Sequence, residues 1–179
     1  EVTDLGILPD KEEVIADALF RAANDHDMII TSGGVSAGEE DHVKAAVASQ
    51  GAINLWRLAI KPGRPIALGQ VGNTAFIGLP GNPVAAMVTF MVIARSVILM
   101  LSGASITEAF RYPVRIGFTY TKKLGRKEWV RVRLKSDDEG CLTAYKIHSG
   151  GSGILTSLVD ADGLLELNEN MEVVNMGQM

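Results

Sequence analysis

Met28-Ile29-Ile30-Thr31 followed by Ser32-Gly33-Gly34-Val35-Ser36-Ala37-Gly38-Glu39-Glu40-Asp41 is a short apolar strand running into a loop too rich in glycine and serine to be helix or sheet. Val43, Ala46 and Val47 then open a helix. Upstream, Val14, Ile15, Ala18, Leu19 and Ala22 recur at helical spacing, and Asp10 with Glu13 resembles a capping box, which predicts an amphipathic helix from about 11 to 25. Helix, strand, glycine loop and helix in this order predict a parallel α/β sheet.

Working outward, residues 52 to 60 (AINLWRLAI) read as a strand, Lys61-Pro62-Gly63-Arg64-Pro65 as a rigid turn and residues 66 to 71 as another strand. Gly72-Asn73 makes a hairpin turn into Ala75-Phe76-Ile77-Gly78-Leu79. Leu79-Pro80-Gly81-Asn82-Pro83 hands the chain to a long apolar segment, with Asn82 as the expected N-cap and Pro83 at the first helical position. After Gly103 the texture changes. Val114, Ile116 and Phe118 alternate, as do residues 129 to 134 and 142 to 147, with turns at Gly125 and at Asp137 to Gly140. The expected organisation is an α/β domain over residues 1–103 and a small all-β domain over 112–179.

The chain has 179 residues, 47% hydrophobic and 21% charged, a globular composition that excludes disorder. Its 17 Lys+Arg against 21 Asp+Glu leave a net charge of −4, so no nucleic-acid partner is expected and any anionic ligand must be held by a local cluster. The single cysteine, Cys141, excludes an internal disulfide and fits a reducing, cytoplasmic setting. His26, His42 and His148 have no zinc-ligand spacing. Glu1-Val2-Thr3-Asp4 carries neither an initiator Met nor a signal-peptide pattern, and the chain is expected to be cut from a longer protein. Residues 84 to 101 are apolar enough to raise a membrane span, but Arg95 at its centre would cost about 2.5–3.5 kcal/mol on insertion scales. A buried core helix is therefore expected, with no membrane partner.

Three groups of residues can carry chemistry. Ser32, Gly33, Gly34 and Ser36 sit where open α/β sheets bind ligands, and their N–H and hydroxyl groups suit a phosphate; they equally suit a tight turn. Asp10 and Asp41 each precede a helix, where a carboxylate caps free N–H groups; lying at one edge of the sheet, they would also suit Mg²⁺ carried on a phosphate. Arg57 and Lys61, four apart on one strand, would share a face and, with Arg64, form a basic cluster or a solvated edge.

Ser32-Gly33-Gly34-Val35-Ser36 with Gly38 and Asp41, then Lys61-Pro62-Gly63-Arg64-Pro65, then Gly78-Leu79-Pro80-Gly81-Asn82-Pro83, in this order and at these intervals, resemble the molybdopterin molybdenumtransferase family, to which bacterial MoeA and the E domain of gephyrin belong. The resemblance extends from Asp4-Leu5-Gly6-Ile7 to the C-terminal Gly-Ser-Gly loop. It implies a MogA-like three-layer α/β domain, here without its first strand and helix, followed by a small β-barrel, and a homodimer. The implied reaction is Mg²⁺-dependent insertion of molybdate into adenylylated molybdopterin with release of AMP, a reaction this fragment alone is not expected to sustain.

By the same resemblance Asp10 and Asp41 are the catalytic and Mg²⁺-binding carboxylates, and Arg57 and Lys61 face the anionic substrate. Pro80 and Pro83 shape the pocket wall, and Arg131 and Ser152 face molybdate, with Arg133 and Ser149 as alternatives. Ala85 stands where many members have Ser. A single cysteine means that the thiolate ligands of molybdenum come from the substrate's dithiolene. The competing readings are a gephyrin-like scaffold without catalysis and a MogA-like adenylyltransferase.

Overall fold

The computed structural model describes residues 1–34, 42–105, 108–147 and 153–179, with the backbone alone for Leu55 and Trp56. The chain forms two compact units, each interrupted in sequence: Glu1–Leu58, Pro65–Gly81 and Thr89–Thr107 in the first, and Ala59–Arg64, Asn82–Val88 and Glu108–Met179 in the second.

The first unit is built on α1 (Glu12–Asp25), β1 (Met28–Ser32), α2 (His42–Ala48), β2 (Gly51–Arg57), β4 (Pro65–Val71) and β5 (Thr74–Leu79), with the two-residue β3 (Ile60–Lys61) belonging to the second unit. The sheet order is β1-β5-β4-β2. Among the described strands β1 and β5 run parallel while β4–β5 and β2–β4 are antiparallel, so the sheet is mixed: parallel where the glycine loop leaves it and antiparallel from the expected hairpin onward. The cause is the Gly72-Asn73 hairpin, which reverses the chain after β4, with Gly72 at φ +55°.

Ile15, Leu19 and Ala22 put one stripe of α1 against Ala46 and Val47 of α2 and against Ile29, Ala67, Val71 and Phe76 of the sheet. Leu19 and Phe76 are each 1% exposed, and burying each such side chain stabilises the unit by about 1.5–3 kcal/mol. The expected capping box is absent. Lys11 is the N-cap, with no side-chain cap bond, because the Lys11 N–H donates to the Pro9 carbonyl at 2.8 Å and the helix starts one position later.

The segment from Pro83 is helical throughout: α3 (Pro83–Thr89), a π turn at Phe90–Ala94 and α4 (Arg95–Leu101). The expectation of a buried core helix is corrected, since only one face, Val84, Ala85, Val88, Thr89 and Ala94, is buried while Met87, Met91, Met100 and Leu101 are exposed. By length and composition this helix could cross a membrane.

Among its described residues the second unit is β-structured apart from Asn82–Val88, which carries most of α3, and one further helical turn. Its elements are β3, β6 (Arg115–Ile116), β7 (Tyr120–Thr121), β8 (Lys127–Ser136), β9 (Leu142–Lys146), α5 (Thr156–Val159), β10 (Gly163–Leu167) and β11 (Val173–Val174). β8 is the organising strand: β10 pairs along one edge, while β3 and β9 share the other, β3 against Lys127–Glu128 and β9 against 132–136. Val130 and Val132 alternate inward to meet Ile116, Ala144, Leu167 and Val174. The expected turn at Asp137 to Gly140 joins β8 to β9, and β7 pairs with β11.

Candidate functional site

In the first unit, β1 and β5 are parallel neighbours whose last register partners are Ser32 and Leu79. Their carboxyl ends therefore release Ser32-Gly33-Gly34 and Leu79-Pro80-Gly81 side by side. The Gly33 N–H donates to the Leu79 carbonyl at 3.0 Å, and the Ser32 hydroxyl to the Pro80 carbonyl at 3.4 Å. Gly33 and Gly34 have φ of +89° and +68°, a region that L side chains avoid, and a Cβ on Gly81 would lie 3.4 Å from Gly33 Cα. Gly33 thus acts through its conformation, and its N–H is already committed to Leu79 and not offered to an anion.

Ser32, Gly33 and Gly34 line a cavity of about 890 Å³ together with Thr31, Asp10 and Asp4. Asp4 is occupied, its Oδ1 accepting the Gly6 N–H at 2.8 Å. Asp10 lies outside α1 and caps nothing; its exposed carboxylate makes no hydrogen bond or ion pair among the described residues. Thr31 Oγ1 is buried and has no hydrogen-bond partner among the described residues. Asp41, Ser36 and Gly38 lie outside the described residues, as do Ser149, Ser152 and His148.

Arg57 and Lys61 do not share a strand, which corrects the expectation of one face. Arg57 ends β2 opposite Pro65, with its side chain exposed, whereas Lys61 belongs to β3 and pairs in parallel with Glu128 on β8. The strand breaks at Leu58–Ala59 because its continuation finds its backbone partner on β8, where the Lys127 N–H donates to the Ala59 carbonyl at 2.9 Å. Pro80 is buried just after β5, and Pro83 is exposed at the first position of α3. Asn82 gives its carbonyl to the Ala86 N–H, but its Oδ1 is buried with no partner among the described residues and so caps nothing.

Lys61 lies in the most highly connected charged cluster of the second unit. Its Nζ donates to the Tyr120 hydroxyl oxygen at 3.0 Å and to Glu128 Oε2 at 3.3 Å; Tyr120 Oη donates to the same Oε2 at 2.8 Å, and Arg126 Nη2 to Oε1 at 2.7 Å. Lys146 Nζ stands 4.3 Å from the centre of the Tyr120 ring. Glu128 is 1% exposed. Burial opposes its charge, yet Arg126, Tyr120 and Lys61 together hold its carboxyl below the usual range. Burial likewise opposes the charge on Lys61, and Tyr120 and Glu128 outweigh it to hold that ammonium above the usual lysine value.

Arg131 is on β8 three residues beyond Glu128. Because Glu128, Val130 and Val132 alternate inward, Arg131 falls on the opposite face from Glu128. Burial lowers its pKa. Arg133, on the same face as Arg131, is tied to Asp160, its Nε donating to the carbonyl at 3.0 Å and its Nη2 to Oδ1 at 3.2 Å. The structure therefore brings Ser32, Gly33, Gly34 and Asp10 to one cavity, and leaves Lys61 and Arg131 on different faces of β8.

Tyr120, Arg126 and Glu128 were not anticipated. The signal was present in Glu128-Trp129-Val130-Arg131-Val132, where a glutamate occupies the inward phase set by two valines, a position that requires cationic or hydrogen-bonding partners.

Residues 1–100 match the family model described as "Probable molybdopterin binding domain", and residues 113–179 the one described as "MoeA C-terminal region (domain IV)". The chain is 35% identical to a molybdopterin molybdenumtransferase of Haemophilus influenzae, over 99% of this chain and 44% of that protein. It is 30% identical to a gephyrin of Dictyostelium discoideum, over 98% of this chain and 28% of that protein. Among solved structures it is similar to a molybdopterin biosynthesis MoeA protein of Pyrococcus horikoshii, with TM-score 0.70 and 26% identity over 97% of this chain and 39% of that one. A molybdenum cofactor biosynthesis protein of Pyrococcus furiosus gives TM-score 0.69 and 26% identity over 97% and 55%. The chain thus spans less than half the length of these two sequence relatives.

Proposed function

The chain belongs to the molybdopterin molybdenumtransferase family of MoeA and the gephyrin E domain, and from this premise we propose that it takes part in inserting molybdate into adenylylated molybdopterin, with hydrolysis of the adenylate and release of AMP. The observation that carries the reading is the cavity along β1 and the loop that leaves its carboxyl end, lined by Ser32, Gly33 and Gly34 and by Asp10, whose carboxylate no described residue uses. Such edges of α/β sheets bind phosphates, and small residues let the backbone approach them.

Within this reading Gly34 and Ser32 orient the phosphoanhydride of the substrate, while Pro80 fixes the path of the neighbouring loop. Water adds to one phosphorus, the bridging P–O bond breaks, and AMP leaves. Mg²⁺ fits the donors, since Asp10 has hard oxygens that no described residue uses, and one or two carboxylates are what this ion takes alongside water and substrate phosphates. Asp10 and Asp41 would hold the ion, which when bound neutralises charge developing on the phosphates. Lys61 and Arg131, with Arg57 and Ser152, provide charge-assisted donors for anionic groups, molybdate among them.

The finer architecture belongs to the same proposal: a three-layer α/β domain and a small β-barrel, working as a cytoplasmic homodimer in which the segments that relatives carry beyond this alignment complete the site. The test is AMP release from adenylylated molybdopterin in the presence of molybdate and Mg²⁺, using this chain and the same chain fused to those segments of a relative. Mg²⁺-dependent release by the fusion, lost in Asp10→Asn, supports the reading. Tight substrate binding with no release by either would favour a scaffold.

A further inference from the structure

Two lysines of the second unit each donate more than one hydrogen bond, and they are used differently. Lys122 is 5% exposed and spends its ammonium on backbone carbonyls, those of Asn168 and Met171 at 2.8 Å and of Lys123 at 3.3 Å. An ammonium has three N–H donors, so Lys122 is saturated. Lys61 spends two, on Tyr120 and Glu128, and its side chain remains half exposed. Among the described residues one donor is left over on this half-exposed cation, which is held at two points.

The three groups close a triangle: Lys61 donates to Tyr120, Tyr120 donates to Glu128 Oε2, and Lys61 donates to that same oxygen. Arg126 takes the other oxygen of Glu128. Against this single carboxylate stand Lys61, Arg126 and, over the Tyr120 ring, Lys146, so the cluster keeps an excess of positive charge. Neutralisation alone does not explain a buried glutamate here. A carboxylate 2% exposed in its side chain is costly to bury and is justified where it fixes the direction of its partners.

We propose that Glu128 and Tyr120 are positioning residues that hold the Lys61 ammonium with one N–H left for an oxyanion substrate, so that binding follows the geometry of this triangle and not the net charge around it. The inference rests on the reading of Lys61 as a substrate contact and adds what keeps that contact in place. It makes a prediction whose sign is opposite to simple Coulomb attraction. Glu128→Gln raises the local net charge by one, which by charge alone tightens an anion; by positioning it loosens it.

The experiment titrates molybdate into the 179-residue chain by calorimetry at low salt, with lysine side-chain NMR on the same samples. Lys61→Met is expected to weaken binding roughly tenfold to a hundredfold, the range of a charge-assisted hydrogen bond. Tyr120→Phe and Glu128→Gln are each expected to weaken it about threefold to tenfold, and to add nothing in a Lys61→Met background. The slowly exchanging Lys61 ammonium signal is expected to disappear in both variants while that of Lys122 persists, a split that general loosening of the fold would not give. Tyr120→Phe leaves every charge in place and decides the matter if Glu128→Gln folds poorly. Tighter binding by Glu128→Gln, or unchanged affinity and unchanged Lys61 signal in Tyr120→Phe, overturns the positioning role alone. Binding indifferent to Lys61→Met, or no measurable binding by the unmodified chain, overturns Lys61 as a substrate contact and the inference with it.

Discussion

Ser32 and Leu79 are the final register partners of the parallel pair β1–β5, and the N–H of the residue after Ser32 donates to the Leu79 carbonyl at 3.0 Å. The glycine loop is thereby latched to the neighbouring strand before it turns. The latch requires Gly33 at φ +89°, and space is not the constraint, since a Cβ there would lie 3.9 Å from its nearest neighbour, Gly81 Cα.

Gly33→Ala should therefore destabilise the chain by about 1–2 kcal/mol, the cost of holding an L side chain in the left-handed region. Gly81→Ala, which meets only ordinary van der Waals contact, should cost less. Urea unfolding of the two variants checks the difference.

Asp10→Asn should leave the unfolding free energy within about 0.5 kcal/mol of the unmodified chain, because no cap or ion pair is lost. In the molybdenum-insertion assay the same substitution should remove Mg²⁺-dependent AMP release. A large stability loss would show a structural role for the carboxylate.

Glu128→Ala should destabilise by about 1–3 kcal/mol, since it removes the acceptor shared by Arg126, Tyr120 and the half-exposed Lys61. The pH dependence has a definite sign. The carboxyl is held below its usual value of 4.5 when folded, so its contribution is present above that pH and is lost as the pH falls through the lower folded value. Lys61 is held above 10.5 when folded, so its contribution is present below that pH and lost in stronger alkali. The stability gap between Glu128→Gln and the unmodified chain should accordingly be widest between these limits and narrow in acid, as read by urea midpoints across pH.

On the reading that Arg131 faces molybdate, Arg131→Ala should weaken molybdate binding roughly tenfold or more, whereas Arg133→Ala should change it much less. Calorimetry with molybdate, and with tungstate as its analogue, separates the two arginines.

What could be read from the sequence was what depends on neighbours along the chain. The spacing of Ile15, Leu19 and Ala22, the Gly72-Asn73 turn and the alternation along β8 are local patterns, and each produced its element. The glycine loop was likewise placed at the end of a strand. Long-range pairing was hidden. Nothing in the residues up to Ile60 announces that the strand stops at Arg57 and that the next residues join β8, some 67 positions away, so the shared face of Arg57 and Lys61 did not form. The start of α1 was missed by one residue because the Lys11–Pro9 turn displaced Asp10 from the cap. Glu128 escaped notice because a single glutamate in an alternating strand reads as an outward position until the strand's phase is fixed by its valines.

The interleaving of the two units limits how the chain can be dissected. A cut in the segment between residues 103 and 112, natural from the change in texture, would strand β3 and Asn82–Val88 with the first unit's sequence. The 112–179 piece would then carry β8 with Lys127 and Glu128 facing an empty edge, and with the buried carboxylate deprived of Lys61. The C-terminal half cannot inherit a whole unit, so these modules are separable as architecture but not as genes.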